Sequence, residues 1–196
     1  MNLGRLFLRG VIGPLLVGHG TQKLFGWFGG HGIEGTGGFF ESLGLRPGKR
    51  HATAAGAAET TGGVLLTLGA LTPVATAIIS GTMFTAIRKV HLQKGPWVSD
   101  GGYEYNLTLI AAVAALAEAG PGRPSVDDAL LPGFKGAGWT LAAVAAGAAG
   151  SYLATERFSE PEAAPAPQPA PAADPALESQ PRFEREPAAA PVDQSA

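Results

Sequence analysis

The chain has 196 residues, 45% of them hydrophobic and only 15% charged, with a net charge of −2 and no cysteine. The slightly acidic balance excludes the basic footprint of a nucleic-acid binder. The missing cysteine excludes disulfides, thiolate metal sites and thiol catalysis by the chain's own side chains.

A membrane helix needs about 20 mostly apolar residues, and the front of the chain offers several such stretches. Leu3 to Phe28 is the first. Pro14 within it predicts a kink, and Trp27 suits an interfacial belt. Arg5 and Arg9 ahead of an apolar run are reminiscent of a signal peptide. No small-residue cleavage site follows and Lys23 interrupts the expected position, so an uncleaved helix is expected. Residues 29–50 form a glycine-rich connection, in which Phe39, Phe40 and Leu43 share one face of a short amphipathic helix with Thr36 as N-cap. Arg46, Lys49 and Arg50 then mark a water-facing turn. Ala52 to Leu71 is the second span. Thr72 and Pro73 make a hinge, with Thr as cap and Pro at the first helical position. Val74 to Val90 is the third span, His91 to Gly102 a polar connection, and Tyr103 to Ala119 a fourth span stopped by Gly120-Pro121-Gly122. Gly136 to Ala154, rich in Ala and Gly, is a fifth.

The fold class expected is therefore all-α: an integral membrane bundle at residues 1–122, a linker and fifth helix at 123–155, and a tail at 156–196. The tail's Pro, Ala, Glu and Gln cannot bury enough apolar surface to offset ordering entropy, which predicts disorder. With five spans, Arg46, Lys49, Arg50, Arg88, Lys89, Lys94 and Arg157 fall on one side, and Arg5, Arg9, Arg123 and Lys135 on the other. The excess places the first side, and the tail, in the cytoplasm of a multi-pass plasma-membrane protein.

Polar residues inside apolar spans are costly and so mark sites or clamps. His19, Gln22 and Lys23 share a helical face by their spacing. Glu59 lies within the second span. If the first two helices run antiparallel, Glu59 reaches His19 or Lys23, either as a structural clamp or as a polar pocket near the membrane surface. A second cluster comprises His91, Trp97, Asp100, Tyr103, Glu104 and Tyr105. Here Trp and Tyr also read as interface anchors, and Glu104 as an acid at a helix N-terminus. In the expected topology both clusters lie on one side and can form one site. The GxGxxG match at Gly30–Gly35 follows a membrane helix rather than a strand, so dinucleotide binding is not expected. Asn106-Leu107-Thr108 matches a glycosylation acceptor but lies inside a span. His19, His31, His51 and His91 are scattered without metal-ligand spacing, so no metal site is expected.

Several segments together resemble the DoxX family of bacterial and archaeal membrane proteins. The run from Gly18-His19-Gly20-Thr21-Gln22-Lys23 through Leu24-Phe25-Gly26-Trp27 is similar to the family's first-helix signature. Phe39-Phe40-Glu41-Ser42-Leu43-Gly44-Leu45-Arg46-Pro47-Gly48 is similar to the segment that follows it. Glu59 sits where the family tends to carry an acid, and His91-Leu92 through Gly101-Gly102-Tyr103-Glu104-Tyr105 resembles its approach to the fourth helix. The resemblance covers roughly residues 1 to 125. It implies a four-helix membrane bundle, from which this chain departs after Gly122, and redox work at the membrane in sulfur or thiol metabolism or oxidative-stress defence.

Quinone is the cofactor this resemblance implies. His19, Lys23, Glu59, His91 and Glu104 would serve as catalytic groups, and Gln22, Trp27, Trp97, Tyr103 and Tyr105 would line the quinone pocket. A second reading is a non-catalytic anchor that recruits soluble redox enzymes. A third is a proton-coupled transporter of small solutes, against which stands the lack of an evident inverted repeat. The lipid bilayer is the expected partner, and the many small residues are compatible with a homo-oligomer.

Overall fold

The computed structural model describes residues 2–159. The tail expectation from Glu160 onward lies outside the described residues. Among these residues all regular structure is helical: α1 Leu3–Phe25, α2 Gly32–Ser42, α3 Gly48–Leu68, α4 Thr72–Ala86, α5 Glu104–Ala119, α6 Val126–Leu130 and α7 Ala137–Tyr152. α4 runs on into a π turn, Ile87–His91, and α7 into another, Leu153–Arg157.

The apolar stretches read from the sequence are all helical, but among the described residues no helix is long and apolar enough to cross a membrane. The long helices are diluted. α1 has 23 residues but carries Arg5, Arg9 and Lys23, and α3 has 21 but carries Lys49, Arg50 and Glu59. The apolar ones are short. α5 and α7 have 16 residues each, about 24 Å at 1.5 Å per residue against a hydrocarbon core of about 30 Å.

Several boundaries also move. α1 stops at Phe25, because Gly26 takes a left-handed conformation (φ 73°) and its N–H bonds the Gln22 carbonyl, a glycine stop signal. α2 starts at Gly32, so Thr36 is a buried interior residue and not an N-cap. α3 starts at Gly48 rather than Ala52. The Glu41 carboxylate accepts the Gly48 N–H at 3.0 Å and Glu34 pairs with Lys49 at 2.8 Å, so α2 caps the helix and absorbs the expected basic turn into it. Thr72 is the first residue of α4, with Leu71 as its cap. α6 was not expected.

Two glycine contacts set the frame. α1 and α3 pack antiparallel through Gly13 against Gly63 and Gly20 against Gly56. A Cβ on Gly63 would stand 2.6 Å from the Gly13 carbonyl, and one on Gly20 would stand 2.6 Å from the Gly56 carbonyl. The backbones therefore touch, an approach that only small residues permit. Thr60 and Thr67 bond back to the carbonyls of Gly56 and Gly63, which satisfies their hydroxyls within the helix. α7 reaches α4 by the same means, since a Cβ on Gly147 would lie 2.7 Å from the Ala77 carbonyl. The core between α1, α3, α4 and α5 holds Leu16, Leu66, Ile79, Met83, Val113 and Leu116.

One end of the bundle is closed by a buried polar clasp. Arg9, 1% exposed, donates to the carbonyls of Thr67 (2.9 Å) and Pro124 (2.6 Å). Asp127, equally enclosed, accepts the backbone N–H of Leu71 at 2.6 Å and of Thr72 at 2.7 Å, and the Thr72 hydroxyl at 2.6 Å. A remote carboxylate thus caps α4, whose free N–H groups and dipole favour an anion. It also holds Leu71 in a left-handed conformation (φ 47°) that a branched side chain adopts only under constraint.

Candidate functional site

At the other end, α2, α3, α4 and α7 surround a cavity of about 590 Å³, within the size range of small-molecule sites. Its walls are mainly apolar. α2 and the turn after it give Phe39, Phe40, Leu43 and Leu45, α3 gives Ala54, Ala55 and Ala58, α4 gives Ala77 and Ile78, and α7 with the π turn after it gives small residues from Ala146 to Ala154. Charged and titratable groups enter at Lys23, His51, Glu59 and His91, and hydroxyls at Thr82, Thr85, Ser151 and Thr155.

Lys23 and Glu59 form an ion pair across the antiparallel α1–α3 contact, Nζ to Oε2 2.6 Å, with side chains 23% and 10% exposed. Lys23 comes to Glu59, whereas the His19 side chain is exposed and only its carbonyl meets the Lys23 ammonium, at 3.5 Å. His19 lies one helical turn before Lys23 on α1.

His91 is half-buried and ends the π turn after α4. Its Nδ1 lies 2.7 Å from the Gly101 carbonyl. A carbonyl only accepts, so Nδ1 carries the proton and Nε2 of the neutral ring is left as the acceptor. His51, one of the four histidines scattered along the sequence, lines the same cavity, and its Nε2 lies 3.2 Å from the Ser159 hydroxyl. The signal was present in the sequence. His51, Ala55, Ala58 and Glu59 follow the spacing of one helical face.

The remaining predicted residues stand outside the cavity lining. Gln22 donates to the Phe28 carbonyl at 3.3 Å. Trp27 is 56% exposed, beside Phe25 and Phe28. Trp97 and Tyr105 are exposed, and Tyr103 packs against the core. Glu104 accepts the Val98 N–H at 2.8 Å, bracing the connection before α5. The two sequence clusters thus meet only through Lys23, Glu59 and His91. Among the described residues no group of three or more His, Asp or Glu is arranged to hold a metal ion.

The far wall is fastened at its end. Arg88 donates to the Thr155 hydroxyl at 3.0 Å and to the Glu156 carboxylate at 2.8 Å, and Lys89 adds a 3.5 Å contact to Glu156. The Lys89 cation, more than the hydrogen bonds from Thr155, Arg88 and Lys89, holds the Glu156 carboxyl below its ordinary range. These contacts also extend the ordered bundle past Thr155, where the tail had been expected to begin.

A model of the DoxX family matches residues 4–92. That range spans α1 to α4 and the first π turn, and it includes Lys23, His51, Glu59 and His91. A Bacillus subtilis (strain 168) protein named "Putative oxidoreductase CatD" is 33% identical over 115 residues, covering 59% of this chain and 79% of that protein. No solved structure matches the chain.

Proposed function

Because this chain belongs to the DoxX family, we propose that it is a membrane-embedded, redox-associated protein whose cavity between α2, α3, α4 and α7 takes a quinone. The observation that carries the reading is the cavity itself: apolar walls large enough for a substituted ring, with one ion pair and one oriented histidine at its surface. The residues present fit such a ligand. Phe39, Phe40, Leu45 and Ile78 offer faces for the ring and tail. The Lys23 ammonium, fixed by Glu59, is a donor to a ring oxygen, and His91 Nε2 is a site where a proton is taken up or released. When bound, the quinone accepts two electrons. Two thiols joining as a disulfide supply both electrons and both protons, and with no cysteine in the chain those thiols belong to a substrate or a partner.

Two features support the membrane setting. Many large apolar side chains face outward, among them Leu3, Phe7, Val11, Leu15, Trp139 and Leu141. The charged groups gather at the ends of the bundle: Arg5, Arg9, Arg123 and Asp128 at the clasp, and Lys49, Arg88, Lys89 and Glu156 at the other end. In this reading the helices lie in lipid with their ends anchored in the headgroups, and the second, more basic end faces the cytoplasm. The DoxX family is itself membrane-associated.

The test is equilibrium binding of a short-chain benzoquinone to the purified full chain in detergent, followed by its reduction with a dithiol. Saturable binding that weakens in Glu59→Gln supports the site. Absence of saturable binding by well-folded protein refutes it. Binding without reduction favours the second reading, an anchor whose chemistry belongs to soluble partners, which the lack of cysteine already favours.

A further inference from the structure

α7 and the π turn after it lie beyond the residues that the family model matches, yet they supply one wall of the cavity: Ala146, Gly147, Gly150, Ser151, Ala154 and Thr155. The two glycines of this wall do opposite things. A Cβ on Gly147 would strike the Ala77 carbonyl at 2.7 Å and the Gly81 nitrogen at 2.9 Å, so its smallness serves packing on α4. A Cβ on Gly150 would meet nothing within 4 Å, although the residue lines the cavity. Glycine weakens a helix interior relative to alanine, and no neighbour requires it at this position. The open space beside it borders the cavity.

Past Gly150 the wall ends in a π turn that faces the π turn at the end of α4. Both turns line the cavity, one through Val90 and His91, the other through Ala154 and Thr155. The two helix ends are joined by polar contacts, Thr85 to Ser151 at 2.9 Å, Arg88 to Thr155 and Glu156, and Lys89 to Glu156, and by the Arg88 guanidinium over the Tyr152 ring, 5.8 Å from its centroid. The Ser159 hydroxyl adds a contact to His51 on α3. Partly exposed ion pairs of this kind are weak. The contact at Gly81 and Gly147 holds α7 in place, while its last turns rest on a fastening that can open.

We propose that α7 is the specificity-determining wall of the cavity: Gly150 leaves the space its occupant fills, and the fastening of Glu156 to Arg88 and Lys89 keeps the wall closed. This rests on the cavity being the ligand site.

The native chain has no cysteine, so Ala55→Cys, on the opposite wall, provides a single reporting thiol. The rate of its modification by a small maleimide, in the full chain in detergent, measures access without any assumption about the ligand. In this background Glu156→Gln is expected to raise the rate about threefold, the scale of a weak exposed pair. Gly150→Leu is expected to lower the rate, and to weaken benzoquinone binding by about tenfold through filled space. Gly150→Ala is expected to give a smaller change of the same sign, and serves if the leucine variant does not fold. Rates unchanged in both the Glu156 and Gly150 variants overturn the proposal, whatever the quinone does. Rates that respond as expected while benzoquinone fails to bind the native chain sustain the wall and sink the quinone reading instead.

Discussion

Replacing the partners of the Lys23–Glu59 pair one at a time and then together separates a clamp from a site. The pair is short, 2.6 Å, and Glu59 is the more enclosed partner, its side chain 10% exposed against 23% for Lys23. Removing one member of a fully buried pair costs about 3–5 kcal/mol, because the other charge is left uncompensated. Lys23 sits near the end of α1, and its long stem can carry the ammonium outward, so Glu59→Gln is expected to cost less, about 1–3 kcal/mol. Lys23→Met strands the more buried carboxylate and is expected to cost about 2–4 kcal/mol. Lys23→Met combined with Glu59→Gln removes both charges and is expected to return to within about 1 kcal/mol of the native chain, so that the two single losses together exceed the combined one by about 2–6 kcal/mol. Thermal unfolding in detergent reads this out at about 2–4 °C per kcal/mol for a chain of this size. If the pair also serves the ligand, the double variant regains stability and does not regain benzoquinone binding. Losses that simply add, within about 0.5 kcal/mol, would show that the two groups do not act as a pair and would remove the basis for placing a site there.

Other substitutions probe the frame. Asp127→Ala deletes three hydrogen bonds to a carboxylate at the start of α4 and leaves two N–H groups and Arg9 unbalanced. A loss of about 3–5 kcal/mol is expected, and a melting temperature unchanged within error would contradict the clasp. Gly63→Ala drives a carbon to 2.6 Å from the Gly13 carbonyl and is expected to cost about 1–3 kcal/mol. Gly18→Ala meets nothing within 4 Å and is expected to leave melting unchanged or raise it. Lowering the pH should release the α7 fastening late. Glu156 has a lowered folded pKa, caused first by Lys89, so its contribution is complete above the ordinary carboxylate value and is lost only as the pH falls through the lowered one. Maleimide access at Ala55→Cys, normalised to the unfolded chain, should stay flat down to about pH 4.3, the ordinary Glu value, and rise only below it. An equal rise in Glu156→Gln would assign the change to another group.

The order of the main helices was legible because glycine and proline bracket each apolar run. Their ends were less so, since tertiary contacts set them. The Glu41 cap brings Gly48 into α3, and Asp127, distant in sequence, caps α4 in place of the expected Thr72. Nothing in the local sequence around Thr72 announces that partner. For the site, antiparallel geometry and the cost of a lone acid in an apolar helix were enough to connect Lys23 with Glu59. They did not choose between Lys23 and His19, because residues three or four apart share a face without sharing a partner. Alanine and glycine carry no chemical signal, so the α7 wall could not be read as part of a site at all, and His51 looked isolated until the helical face it shares with Glu59 bordered a space.

The cavity is therefore built from two parts of different standing. The ion pair, both lining histidines and the α2–α4 walls fall within residues 4–92, which the DoxX model matches. The remaining wall, with Gly150, Ser151 and Thr155, comes from α7 and the π turn after it, outside that range. Chemistry that depends on Lys23, Glu59 and His91 should follow the family, whereas the size and closure of the space in front of them should follow this chain's own extension. The two can vary independently, since α7 touches the ionic groups at no described hydrogen bond and meets α4 through backbone at Gly81 and Gly147. A substitution in α7 that faces the cavity should change which ligands enter before it changes what happens to them. A substitution at Glu59 should do the reverse.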